Sequence, residues 1–199
     1  MTEAEFFTSC AEHWDGMRAE NPQRLRALVH MTGLQPGSRV LDVGSGTGVL
    51  LPYLHEVVGA GGELVAVDFS SGMLERARKK FAGLGNIIFQ VQDVMQMPET
   101  DAAVKYDAVV SLNFFPHMGA HKKDYIAKMR QLLRQGGKLV IMHDISRDRV
   151  NAIHGACEHV REDRLPGAAV VAGWLQEAGY RDITTVDNDE IYFVEGHCS

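Results

Sequence analysis

Cysteine is scarce in this chain: Cys10, Cys157 and Cys198 are the only three in 199 residues, and no two form a C-x-x-C pair. That argues against a disulfide framework or a zinc knuckle and fits a reducing cytoplasm. Long apolar runs are missing too, so no segment approaches the ~18 residues of a membrane span. Glu3 and Glu5 stand where a signal peptide carries basic residues. Positive charge is in deficit, with 20 Lys and Arg against 26 Asp and Glu and a net charge of −6. A broad electrostatic grip on nucleic acid or an anionic membrane is therefore not expected. The local cluster Arg76, Arg78, Lys79 and Lys80 reads as a solvated helix face. Internal repeats, low-complexity tracts and inter-domain linkers are also lacking. The expectation is one domain over 1–199, long enough for a full sheet with helices on both faces. Residues 38–195 would form the α/β core and 1–35 a helical cover.

What is present is organised around Arg39–Leu50, RVLDVGSGTGVL. Val40, Leu41 and Val43 are the short apolar run of a strand buried in a parallel sheet. Asp42 interrupts that run, a loop of Gly44, Ser45, Gly46, Thr47 and Gly48 follows, and Val49–Val58 reads as a helix. Glycines in such a loop permit positive φ and let a ligand approach the backbone. A dinucleotide fingerprint needs a final Gly or Ala where Val49 stands, and the Lys-Ser/Thr of a phosphate loop is absent. An acid before the first glycine repels a pyrophosphate and favours an ammonium or sulfonium cation. On charge, S-adenosylmethionine (SAM) is preferred to NAD.

This stretch resembles motif I of the class I SAM-dependent methyltransferases, in the small-molecule branch that includes quinone-biosynthesis and arsenite methyltransferases. The likeness extends over roughly Val40–Val194. It implies a Rossmann-like α/β fold: a seven-stranded, mostly parallel sheet with an antiparallel last strand and helices on both faces. It implies a cofactor set of Asp42, Gly44, Ser45, Gly46, Thr47 and Gly48. Asp68 closes the second strand, Glu63–Val67, 20 residues past Gly48, where a carboxylate can accept the ribose hydroxyls. Phe69 and Met73 flank that strand end and can sandwich an adenine. By resemblance Asp93 accepts the adenine amino group, the Val94 backbone N–H meets a ring nitrogen, and Asn113 touches the methionine end.

The other elements follow from local signals. Glu3–Asp15 carries Phe6, Phe7, Cys10, Ala11 and Trp14 at helical spacing, either an ordinary packing face or a cover over the cofactor. Asn21-Pro22 opens a helix that ends near Gly33. Ser70 or Ser71 caps a helix to about Phe81. Asn86–Val91 and Tyr106–Leu112 are strands, and a helix from Lys122 to Arg134 precedes the strand Lys138–Met142. Ile183–Val186 and Ile191–Val194 form a terminal hairpin. The Asn113-Phe114-Phe115-Pro116 loop departs from the Asn/Asp-Pro-Pro-aromatic stretch of enzymes acting on DNA or protein amides.

If Ser146 caps a helix, Val150, Ile153, Cys157 and Val160 make a buried stripe, and Arg147, Asn151, His154 and Glu158 a polar one. His117, His143, Asn151 and His154 are thus the candidates for acceptor contact, and the histidines for a general base. The expected function is methyl transfer from SAM to a small molecule. Two alternatives stand beside it: a metal held by His117, His143, His154 and Asp144 orients the substrate, or the chain binds SAM as a sensor without turnover. Ligand spacing of the H-x-x-x-H kind is absent, so no metal ligands are assigned.

Overall fold

The computed structural model describes residues 8, 9, 11–17, 20–99 and 105–199. Phe6, Phe7 and Cys10 of the expected N-terminal stripe lie outside the described residues. Two compact units make up the chain, 1–98 and 99–199.

The first unit carries three parallel strands in the order β3-β2-β1: β1 (Arg39–Val43), β2 (Glu63–Asp68) and β3 (Ile87–Val91). In β1 every residue from Val40 to Val43 is buried, so the apolar members each contribute about 1.5–3 kcal/mol of transfer free energy. Asp42 sits within that run, beside Ala66 of β2. Helix α1 (Pro22–Met31) starts as its sequence predicts, with the Asn21 side chain accepting from the Arg24 N–H at 3.0 Å. Helix α2 (Leu51–Val58) begins two residues later than the glycine loop suggested, with Pro52 in its first turn. Helix α3 (Ser71–Lys80) is capped by Ser70, whose Oγ accepts the Met73 N–H.

In the second unit the order is β4-β5-β7-β6. Strand β4 (Tyr106–Leu112) runs parallel to β5 (Leu133–His143), and β7 (Tyr192–Cys198) lies antiparallel to both β5 and β6 (Tyr180–Asp187). Between them come α4 (Lys122–Leu132), α5 (Arg147–Ala156) and α6 (Ala168–Glu177). The seven strands are thus mostly parallel with the last one reversed, the fold class expected.

Three local expectations need correction. Strand β5 begins at Leu133 and not Lys138, because Leu133 pairs with Tyr106 across an irregular register before the regular ladder resumes at Ala108 and Lys138. Helix α4 correspondingly stops at Leu132. Helix α5 is capped by Ser146 as expected but ends at Ala156. Cys157, Glu158 and Val160 therefore fall outside it, and of the proposed apolar stripe only Val150 is buried, while Ile153 is 52% exposed. The chain turns there because Cys157 leaves the helical region and its N–H closes back on the His154 carbonyl.

Candidate functional site

In the first unit the carboxyl ends of β1 and β2 converge through hydrogen bonds rather than through bulk. Gly44, Gly46 and Gly48 all have positive φ, 66°, 56° and 84°, which L side chains reach only with strain. The Gly44 and Ser45 amides both donate to the Val67 carbonyl. Asp68 then takes the Gly46 N–H on one carboxylate oxygen at 2.9 Å and the Ser70 N–H on the other at 2.8 Å. One acid thereby links the glycine turn to the cap of α3.

Asp42 is 2% exposed, and among the described residues its Oδ2 has no hydrogen-bond partner. Burial pushes its carboxyl up to about 7, with Ser45 opposing and the charge of Asp68 adding to the rise. A buried acid left in this condition is a seat for a cation, since a positive group restores what desolvation removed. The donor set fits SAM: a carboxylate for the cation, an acid at the end of β2 for hydroxyls, and an open glycine turn. Among the described residues, only the Gly44 carbonyl, at 4.0 Å, lies within reach of a Cβ placed on Gly46.

Phe69 is half-buried and Met73 is 2% exposed, packed in the interior. Val94 is buried, and Asp93 is exposed with its Oδ1 accepting the Met95 N–H. The segment before α1 is tied to this loop. Thr47 donates to Asp15, which also pairs with Lys80 at 2.9 Å and lies 3.9 Å from Arg76. Thr8 Oγ1 is 2.9 Å from Ser70 Oγ. Burial acts to raise the Asp15 carboxyl, but hydrogen bonds from Thr47 and Lys80 and the nearby cations hold it below its usual range.

The second unit gathers its polar residues at the carboxyl ends of β4 and β5, the edge where open α/β sheets take ligands. Asn113 ends β4 with φ 56°, uncommon for a residue with a Cβ, and donates from Nδ2 to Asp144 Oδ1 at 3.0 Å. His143 is 1% exposed and meets Tyr192 edge-on. His117 lies in the short helix Phe115–His121, and its Nδ1 is 2.8 Å from Asp163 Oδ2. The His154 Nδ1 is 2.6 Å from the Asp163 backbone oxygen, and the two imidazoles are 5.1 Å apart. Asn151 uses both ends of its amide on the Leu165 backbone, at 3.1 and 2.8 Å. Beneath His117, the buried Lys122 ammonium donates to the Pro116 and Gly119 carbonyls. Burial pushes that ammonium down, opposed by Asp163.

His117 and His154 are thus brought together, whereas Asn151 faces the 157–165 connection and His143 faces Tyr192. Asp163, Lys122 and Asp15 were missed from sequence. Asp163 sits in Arg161-Glu162-Asp163-Arg164, where no neighbouring residue distinguishes it from a solvated charge run. Among the described residues, no group of three or more His, Cys, Asp or Glu is arranged to hold a metal ion.

Comparison with known proteins adds independent information. A family model described as a methyltransferase domain matches residues 40–137. A ubiquinone/menaquinone biosynthesis C-methyltransferase of Stutzerimonas stutzeri is 33% identical over 147 residues, 70% of this chain and 56% of that protein. The chain therefore spans little more than half the length of the curated relatives it matches. A SAM-dependent methyltransferase from Aquifex aeolicus superposes with TM-score 0.74 at 22% identity, covering 96% of this chain and 98% of that one. Magnesium protoporphyrin IX methyltransferase from Synechocystis, solved with S-adenosylhomocysteine bound, gives TM-score 0.72 at 19% identity, covering 98% of both chains. At these identities the structural likenesses establish the fold.

Proposed function

We propose that the chain is a class I SAM-dependent methyltransferase that transfers a methyl group from SAM to a ring carbon of a small hydroxylated acceptor. The observation that carries the cofactor half is Asp42, a buried carboxylate with an unpartnered oxygen beneath a left-handed glycine turn. The acceptor half is drawn from relatives named for C-methylation in quinone biosynthesis.

In this reading Asp42 and the 44–48 turn hold the cationic amino acid end of SAM, Asp68 its ribose hydroxyls, and Asp93 with the Val94 N–H its base. Phe69 and Met73 flank that base, and Asn113 meets the methionine end. When bound, SAM supplies an electrophilic methyl group on sulfur. The protein's share is to hold the acceptor carbon in line with that group, a contribution worth up to about 7–11 kcal/mol, and to keep water away. His117, His143, Asn151 and His154 stand on the acceptor side. Residues 1–199 act as one methyltransferase domain, with 1–35 as its cover; the ties of Thr8 to Ser70 and of Asp15 to Thr47 support that role. The free thiols of Cys157 and Cys198 are in keeping with the cytoplasm, and among the described residues no helix is long and apolar enough to cross a membrane.

The test is calorimetry followed by turnover. SAM or S-adenosylhomocysteine should bind where NAD does not, and S-adenosylhomocysteine should be released when a reduced hydroquinone is supplied anaerobically. Comparable affinity for NAD would overturn the cofactor assignment. Binding of SAM without release on any acceptor would make the chain a sensor.

A further inference from the structure

At the carboxyl end of the second unit's sheet, strand pairing sets Tyr192 of β7 between His143 of β5 and Asp187 of β6. Tyr192 is fully buried, and among the described residues its hydroxyl has no hydrogen-bond partner. Two charges act on that hydroxyl. Burial pushes the phenol above its ordinary range, the Asp187 carboxylate adds to the rise and the Arg147 guanidinium opposes it. The same two charges stand at the start of α6, whose N-cap is Gly167 and has no side chain to cap it. Asp187 Oδ2 accepts the Ala168 N–H at 3.1 Å and lies 3.5 Å from Arg147 Nε. That Nε is itself buried and, among the described residues, has no hydrogen-bond partner. A Cβ built on Gly167 would meet, among the described residues, only Arg147 Nη1 at 3.5 Å and Asp187 Oδ2 at 3.9 Å.

Two buried groups of one cluster are thus left unpaired among the described residues, a cost that folding alone does not require. Phenylalanine would fill the place of Tyr192 without it. The cluster holds a donor in Arg147, an acceptor in Asp187 and, in Tyr192, a group that does either. A carboxylate entering here is repelled by Asp187 and an ammonium by Arg147, whereas a neutral hydroxyl donates and accepts at once. Solvent reaches the cluster along Arg147 and Asp187, whose side chains are partly exposed. The guanidinium is held loosely, since it pairs with the exposed Asp148 at 3.2 Å, and surface pairs of that kind are weak.

We propose that Tyr192, Arg147 and Asp187 form a binding site for a hydroxyl group of a small neutral molecule, with Tyr192 the residue that orients it. The site lies wholly within the second unit. It concerns binding alone and stands apart from the methyl-transfer reading. The entering hydroxyl accepts from Arg147 Nε and donates to the phenol or to Asp187, and the space beside Gly167 admits the carbon that bears it.

The test uses the whole chain and two variants chosen to leave the fold intact. Tyr192→Phe removes the hydroxyl alone, and without ligand it should raise Tm by roughly 2–6 °C by deleting a buried polar group. Gly167→Ala places its methyl at ordinary contact distance, on a backbone whose φ of −59° accepts alanine. The probes are hydroquinone, kept reduced, its dimethyl ether and benzoate, each titrated by calorimetry without SAM. Wild type should bind hydroquinone in preference to the other two by roughly 3–10-fold. Tyr192→Phe should lose the preference over the ether, and Gly167→Ala should weaken hydroquinone binding by at least the same factor. A Tm below wild type in Tyr192→Phe would mean that a buried water alone satisfies the hydroxyl, and it overturns the proposal. So does hydroquinone binding that neither variant changes, or a wild type that binds no hydroquinone.

Discussion

Replacing Asp42 with Asn should make the protein more stable at pH 8 and a poorer binder of SAM. The carboxyl has an ordinary value of 3.8 and is pushed up to about 7 in the fold, first by burial. The native state therefore holds this proton more tightly than the unfolded chain does. Its contribution to stability is greatest below pH about 4, declines as pH rises to about 7, and is level above that. At 1.36 kcal/mol per unit the ionised form costs about 4 kcal/mol, and nearer 2–4 kcal/mol once relaxation around the charge is allowed for. Asparagine has the shape of the protonated acid and no such slope. For a chain of this size the gain at pH 8 corresponds to a Tm higher by roughly 4–16 °C, with the two curves meeting below pH 5. A bound cation favours the ionised form, so wild-type affinity for SAM should rise with pH to about 7 and then flatten. The variant should lose that dependence along with about 1.5–3 kcal/mol of binding. Melting curves and calorimetry from pH 5 to 8 measure both. Parallel stability curves for wild type and variant would refute the reasoning.

Asp68→Ala should weaken SAM binding by about 1.5–3 kcal/mol and also lower Tm, since the Gly46 and Ser70 amides lose their acceptor; unchanged affinity by calorimetry removes Asp68 from the ribose role. Gly48→Ala places a Cβ 2.7 Å from the Phe81 ring and 2.9 Å from Leu51 at φ +84°. It should cost about 1–3 kcal/mol in urea unfolding, and an unmoved midpoint would contradict that geometry. Amide exchange in residues 11–17 should slow when SAM is added, and Thr47→Val should erase the effect by removing the bond to Asp15; protection that ignores ligand would make the segment ordinary packing.

Where local chemistry decides, the sequence was legible. Asn21 and Ser146 are small polar residues followed by helical patterns and each caps a helix as read, and of the pair Ser70 and Ser71 it is Ser70 that caps. The apolar run around Asp42 is a buried strand because little else accommodates Val40, Leu41 and Val43 together. Where a distant partner decides, it was not legible. Leu133 joins β5 because Tyr106 lies opposite. Helix α5 stops short of Cys157 and Val160, and Ile153 within it is exposed despite its apolar spacing. Asp163 acts on a histidine 46 residues away, and neither spacing nor composition encodes such a meeting. Lys122 was read only as the start of a helix, yet its buried ammonium depends on the backbone turn at Gly119, where φ is 50°.

Strand β6 closes one side of the second unit's sheet, and among the described residues its far edge has no neighbour in the strand order. An open edge of backbone amides and carbonyls invites another molecule's strand, the route by which soluble sheets aggregate. Here the register slips between Arg181 and Thr184, and Asp182 sits at φ 49° within the slip. An incoming strand would find its ladder broken after a few residues and a carboxylate beside the break. Regularising that stretch, for instance by deleting one residue of the slip, should leave the hairpin paired and the solution less tolerant of concentration. An irregular edge of this kind works against strand-to-strand association between copies, a demand on the sequence separate from catalysis.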